Sequence, residues 1–135
     1  MNKYLAAYLG TAVVMVALDM LWLGVIAKTL YQQGIGHLMA EKPNIPVAVL
    51  FYAVYALGLV IFAVAPQTDA SSWSKTVTVA ALFGFFAYAT YDLTNLATMR
   101  DWPVGVTLID LAWGTVVSAV AAAGGKAALD WASGA

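Results

Sequence analysis

The sequence predicts an all-α protein, a bundle of four transmembrane helices, and three observations carry that reading. Of the 135 residues, 63% are hydrophobic and 10% are charged, with a mean hydropathy of +0.83. A soluble domain carries about a quarter charged residues to cover its surface. The apolar residues fall into four runs, each near the ~20 residues that a helix needs to cross a bilayer. What separates the runs is short, so a single transmembrane domain over 1–135 accounts for the chain, with spans at about 4–27, 45–65, 76–98 and 103–124.

The first run, Tyr4 to Ala27, follows Lys3 in the manner of a signal peptide. It is too long for a signal h-region and lacks a clear small-x-small cleavage site, so it is read as a retained span. It carries Asp19 and Trp22. Lys28 to Asn44 holds Tyr31, Gln32, Gln33, His37, Glu41 and Lys42, with apolar Ile35, Leu38 and Met39, and suits a short helix on the membrane surface. Asn44 is placed as the N-cap of the second span and Pro46 lies in its first turn. The markedly polar groups of that span are the hydroxyls of Tyr52 and Tyr55, which makes it the least functional wall. Ser71 or Ser72 is placed to cap the third span, and Trp73 suits the headgroup belt. Met99 to Trp102 forms a tight turn, and Pro103 opens the fourth span, which ends near Gly124 before a short tail.

Composition removes several functions. A net charge of −1 gives nothing for nucleic acid to bind. Without cysteine there is no disulfide, thiolate nucleophile or cysteine-held metal. One histidine makes neither a multi-histidine metal site nor a Ser-His-Asp set. No phosphate-cradling glycine loop occurs, and the Asp-x-x-Asp-Gly pattern of membrane alcohol-phosphatidyl transferases is missing. No motif indicates a cofactor or metal; a carboxylate-held Mg²⁺ or Ca²⁺ is left open by the chemistry of its oxygen ligands.

The informative residues are acidic ones inside the spans. With alternating directions, spans one and three run from side A to side B and span four returns. Asp19 precedes the end of its span by eight residues, Asp92 by six, and Asp110 follows Pro103 by seven. At ~1.5 Å per residue all three lie roughly 10 Å from side B. Carboxylates at hydrocarbon depth cost a few kcal/mol and normally face a bundle interior or a wet cavity. Three of them at one depth cannot all be ionised without cations. Asn95 shares a helix face with Asp92, Tyr88 lies one turn before it, and Arg100 is the expected fixed counter-charge. His37, Glu41, Tyr31 and the glutamines are placed to roof the same region. Each of Asp19 and Asp110 is followed three residues later by a tryptophan, Trp22 and Trp113, in segments reading Leu18-Asp19-x-x-Trp22 and Ile109-Asp110-x-x-Trp113. Spans one and four are antiparallel, as an inverted repeat requires.

Each feature has a plain reading beside the sharp one. The aspartates could form a structural network, although interhelical hydrogen bonds in membranes average only ~0.6 kcal/mol. Trp73, Trp102 and Trp131 suit the interfacial belt, His37 the surface, and Arg100 with Asp101 an ordinary turn pair. Gly114, Ser118 and Ala122 form a small-residue ladder for close packing, within the chain or between copies. Lys3, Lys75 and Lys126 on side A balance Lys28, Lys42 and Arg100 on side B. The N-terminal amine tips the count towards a cytoplasmic side A.

The stretch Tyr88-Ala-Thr-Tyr-Asp92-Leu-Thr-Asn95-Leu-Ala-Thr98, followed by Trp102-Pro103, together with the two Asp-x-x-Trp segments, resembles a family of small bacterial membrane proteins known as domain of unknown function 2177. The resemblance covers nearly the whole chain, and its specific core is Tyr-Asp-Leu-Thr-Asn. It implies a four-span, multi-pass protein of the bacterial inner membrane and mildly favours a lipid-linked role. It brings no established activity, substrate or catalytic residue. The residues therefore leave three functions. The first is binding or transport of a small molecule or lipid headgroup by Asp19, Trp22, Tyr88, Asp92, Asn95, Arg100, Asp110 and Trp113. The second is aspartate acid–base chemistry on a lipid. The third is an assembly role with no ligand. Membrane lipids, a small-molecule ligand and further copies of the chain are the expected partners.

Overall fold

A computed structural model describes residues 2–69 and 72–134. Among them there is no strand, and four helices are long and apolar enough to cross a membrane: Lys3–Ile26, Ile45–Val64, Trp73–Thr98 and Val104–Ala132. Helix α1 (Lys3–Leu21) ends in a widened π turn, Trp22–Ile26. Helix α2 (Lys28–Ile35) and a 3₁₀ turn (Gly36–Leu38) follow on side B. Helix α3 (Ile45–Leu59) ends in a second π turn, Val60–Val64, and is followed by α4 (Trp73–Thr98) and α5 (Val104–Ala132).

The local signals act as their chemistry dictates. Asn2 accepts from the backbone of Tyr4 and Leu5, and Asn44 accepts from Val47 with Pro46 in the same turn. Ser72 does not cap α4; its hydroxyl donates to the Asp69 carbonyl instead. Ser71 lies outside the described residues. The α4–α5 turn is closed by Asp101, whose φ of 60° is left-handed, a conformation that Asp tolerates better than most side chains.

Helix α5 is the central element, packed along α1 on one side and α4 on the other. Small residues set the spacing. A Cβ on Gly125 would run into the Thr11 side chain and the Ala7 carbonyl of α1, and one on Gly114 would run into the Tyr88 ring of α4. Ser118, one turn beyond Gly114, lies against Gly84, and Ala122 is buried in the core. The small-residue ladder is therefore spent on packing inside the chain.

Two expectations need correcting here. The helix that carries the fourth span does not stop near Gly124; it continues to Ala132. Consequently Lys126 is not an exposed tail charge. It is fully buried, donates to the Asp69 carbonyl (3.0 Å) and to Asp130 Oδ1 (3.1 Å), and lies 5.8 Å from the Trp73 ring centre. This cluster ties the α3–α4 connection to α5 at side A. Towards side B the elements separate: the Val60–Val64 turn packs on α4, and from there α3 and α4 are bridged by the rings of Tyr55, Phe83 and Tyr88.

Candidate functional site

The separation of α3 from α4 leaves a cavity of about 600 Å³ in the side-B half of the bundle. Asp19 of α1 and Asp110 of α5 line it, and so do Tyr31, Tyr52, Tyr55, Tyr88, Tyr91 and Trp102. Apolar surface dominates the rest, from Leu23, Ile35, Met39, Phe51 and Ala87. α2 supplies the roof through Tyr31 and Ile35.

The two Asp-x-x-Trp segments interlock across this cavity. Trp113 of α5 donates from Nε1 to Asp19 Oδ1 (2.9 Å) on α1. Trp22, at the start of the π turn that ends α1, donates to the Tyr31 hydroxyl (3.2 Å), which in turn donates to Asp110 Oδ1 (2.6 Å) on α5. The two indoles stack face to face, with centres 4.3 Å apart and planes 4° from parallel. Each tryptophan thus serves the other segment's aspartate, directly in one case and through a tyrosine in the other. Antiparallel helices carrying the same spacing bring this about: the offset that places Trp22 beside Trp113 also places each indole beside the opposite carboxyl.

The two aspartates are not equally satisfied. Asp19 also accepts from the Tyr52 hydroxyl at Oδ2 (2.7 Å), so both of its oxygens are bonded within the protein. Among the described residues, the donor to Asp110 is Tyr31. Asp92 on α4 is fully buried, and no N–H or O–H group of the described residues donates to either of its oxygens. The polar group it meets is the carboxyl of Asp110. Two neighbouring carboxyls in an apolar setting cannot both stay ionised, so this pair is complete only with a shared proton or an added donor or cation. The phenol of Tyr31, outside the spans, is pushed above the ordinary tyrosine value by burial and by the Asp110 carboxyl to which it donates.

Of the residues expected in the site, Asp19, Tyr88 and Asp110 line the cavity. Trp22 and Trp113 form the stack beside it, and Asp92 stands behind Asp110. Asn95 is half-buried beside the Tyr91 hydroxyl rather than in the lining. Arg100 is exposed in the α4–α5 turn and is not among the lining residues, so it is not the counter-charge that the sequence suggested. Asp101 pairs not with Arg100 but with exposed His37 (3.5 Å), joining the 3₁₀ turn to the α4–α5 turn. Trp102 is not in the interfacial belt: it is buried, donates to Thr107 Oγ1 (3.0 Å) and packs edge-on to Tyr91. Gln32, Gln33 and Glu41 are exposed.

Sequence reasoning missed the α3 face. Tyr52 holds Asp19, and the Tyr55 hydroxyl pairs with Ser118 Oγ (2.7 Å). The signal was available in their spacing. Two tyrosines three apart share a face, and a hydroxyl at hydrocarbon depth needs a partner.

The sequence profile of a family described as a predicted membrane protein, domain of unknown function 2177, matches residues 4–127. The chain belongs to this family. It is a multi-pass membrane protein with four candidate spans. Neither the curated proteins nor the solved structures contain a match to it.

Proposed function

We propose that this family member binds a small molecule or lipid headgroup in the cavity between α1, α3, α4 and α5, and that Asp110, backed by Asp92, is the group that holds it. The observation that carries the reading is the uneven satisfaction of the three acids. Asp19 has donors for both oxygens within the protein and acts as a structural tie, whereas in the Asp92–Asp110 pair Tyr31 serves one oxygen of Asp110 and no N–H or O–H group of the described residues serves Asp92. Buried polar groups in membrane proteins are almost always satisfied, since an unsatisfied one costs several kcal/mol in hydrocarbon. A ligand hydroxyl or amine reaching Asp110 would supply the missing donor, with the tyrosines orienting it and the aromatic walls enclosing its apolar part. Pockets of a few hundred Å³ with apolar walls and a few converging polar groups are the usual form of a small-molecule site. The proposed setting is the bacterial inner membrane, with bilayer lipids as partners.

The test is native mass spectrometry of the purified protein, wild type against Asp110→Asn. The expected result is a discrete adduct of one molecule per chain on the wild type and its loss from a variant that retains its helical content and thermal stability. A wild type that carries no adduct in any detergent tried, with a variant of equal stability, would contradict the reading.

A further inference from the structure

The reading above leaves open what kind of molecule enters and by which route, and three features of the cavity bear on both. The first is charge. No Lys or Arg is among the described residues that line it, although Asp19 and Asp110 are, with Asp92 behind. A phosphate brought to Asp110 would face carboxyl oxygens with no cation to offset it, and like charges at short range in a low dielectric repel strongly. A hydroxyl brings a donor and no charge.

The second feature is a groove on the lipid-facing side of α3 and α4. It has a volume of about 480 Å³ and is lined by Val47, Leu50, Val54, Gly58 and Phe83, together with Phe51, Tyr55 and Ala87. Those last three also line the cavity. The groove therefore adjoins the cavity sideways along the α3–α4 seam, rather than at the aqueous end, with the side chains of Phe51, Tyr55 and Ala87 between the two.

The third feature is depth. Asp19, Asp92 and Asp110 lie roughly 10 Å below side B, at ~1.5 Å of rise per residue. From Phe51, beside the cavity, to Gly58 the groove follows α3 for roughly 10 Å towards the bilayer centre by the same rise, room for the upper part of one lipid chain in a ~30 Å hydrocarbon core. A headgroup must sink below the interface to meet Asp110. A bare hydroxyl can do so, whereas a phosphodiester would have to shed its hydration at a cost of several kcal/mol.

We infer that the ligand is a phosphate-free lipid with a hydroxyl headgroup, which enters from the side-B leaflet between α3 and α4, lays its chain along the Phe51–Gly58 part of the groove and donates to Asp110. This rests on the binding reading and adds the class of ligand and the route. Phe51, Tyr55 and Ala87 form the junction where the chain turns into the headgroup. Val54, 60% exposed in the groove wall, is the residue whose enlargement blocks the chain without adding charge or disturbing the core.

The experiment reconstitutes the full chain in vesicles containing equal mole fractions of dioleoylglycerol and dioleoylphosphatidic acid, and measures retention of each by native mass spectrometry. The proteins compared are wild type, Asp110→Asn, Val54→Trp, and Val13→Trp as a control on the outward face of α1, where Val13 is 66% exposed. The expected result is at least about tenfold preference of wild type for dioleoylglycerol, the scale of one hydrogen bond to a charged group. That preference is lost in Asp110→Asn, retention itself is lost in Val54→Trp, and both are kept in Val13→Trp. Equal or greater retention of phosphatidic acid overturns the headgroup class. A ligand lost in Asp110→Asn but retained by Val54→Trp overturns the lateral route while leaving the binding reading standing. Retention of neither lipid, by a wild type that carries a water-soluble adduct instead, overturns the lipid class alone. A wild type that retains nothing overturns both readings.

Discussion

Trp113 and Tyr31 do similar work for different aspartates, and their removal should have different consequences. Trp113→Phe keeps a ring against Trp22 but removes the donor to Asp19. Asp19 retains Tyr52, so the expected cost is about 0.6 kcal/mol, rising to no more than about 2 kcal/mol, measured by thermal unfolding in detergent. Tyr31→Phe takes away the donor of Asp110 and adds to an acid pair that already lacks one. It should weaken ligand retention more than it lowers stability. Tyr31 also gives a pH signature. Because its folded phenol titrates above the unfolded value, the stability it contributes is present below the ordinary tyrosine value of ~10 and is lost as pH rises through the folded value. Wild type should therefore lose stability on going alkaline past pH ~10 more steeply than Tyr31→Phe, as read by thermal unfolding across that range.

The elements show what sequence could and could not convey. Helix count, a short helix within Lys28–Asn44, the Asn44 cap and Pro46 in the first turn of α3 are local properties, and they are legible. The common depth of Asp19, Asp92 and Asp110 also followed from span ends alone. Which donor reaches which acid was not legible, because Trp113 meets Asp19 and Tyr52 meets Asp19 only after α1, α3 and α5 pack, at sequence separations that no spacing rule spans. Arg100 is misplaced by sequence for the opposite reason: it is near Asp92 along the chain, but it lies exposed in the turn after α4 ends at Thr98. At this scale Gly114 gives the sharpest test. The Tyr88 ring occupies the space of a Cβ there, so Gly114→Ala should cost about 1–3 kcal/mol by overpacking and push α4 away from α5. Its effect should fall on both stability and ligand retention. Lys126 tests the other end of the bundle. Asp130→Ala leaves a buried ammonium with less compensation, and should destabilise by about 2 kcal/mol, below the 3–5 kcal/mol of a fully enclosed pair because Asp130 is 21% exposed. Lys126→Met removes the charge itself and should cost less, as judged by the same unfolding assay.

For the whole molecule, the arrangement is a bundle closed at side A by the Lys126 cluster and open at side B between α3 and α4. With Lys126 enclosed, the charges left outside the bundle are Lys3 and Lys75 on side A and Lys28, Lys42 and Arg100 on side B. Counted with the N-terminal amine on side A, that is three positive charges on each side, so the positive-inside tendency no longer favours a cytoplasmic side A. Because the chain has no cysteine, the orientation can be read by adding one at a time. A cysteine at Lys75 that reacts with an impermeant maleimide on intact cells, with one at Lys42 reacting only after lysis, would place side B in the cytoplasm; the opposite pattern would place side A there.

The central claim is that a ligand occupies the cavity beside Asp110, and the most direct measurement is site-specific photocrosslinking. Benzoylphenylalanine would replace Leu23, which lines the cavity, or Val13, which faces the lipid on the same helix. Illumination of the protein in membranes should give an adduct of one discrete mass at position 23 that disappears with Asp110→Asn, and at position 13 only the mixed masses of bulk lipid. The same mixed masses at both positions, unchanged by Asp110→Asn, would contradict the claim and leave the aspartates as ties between helices.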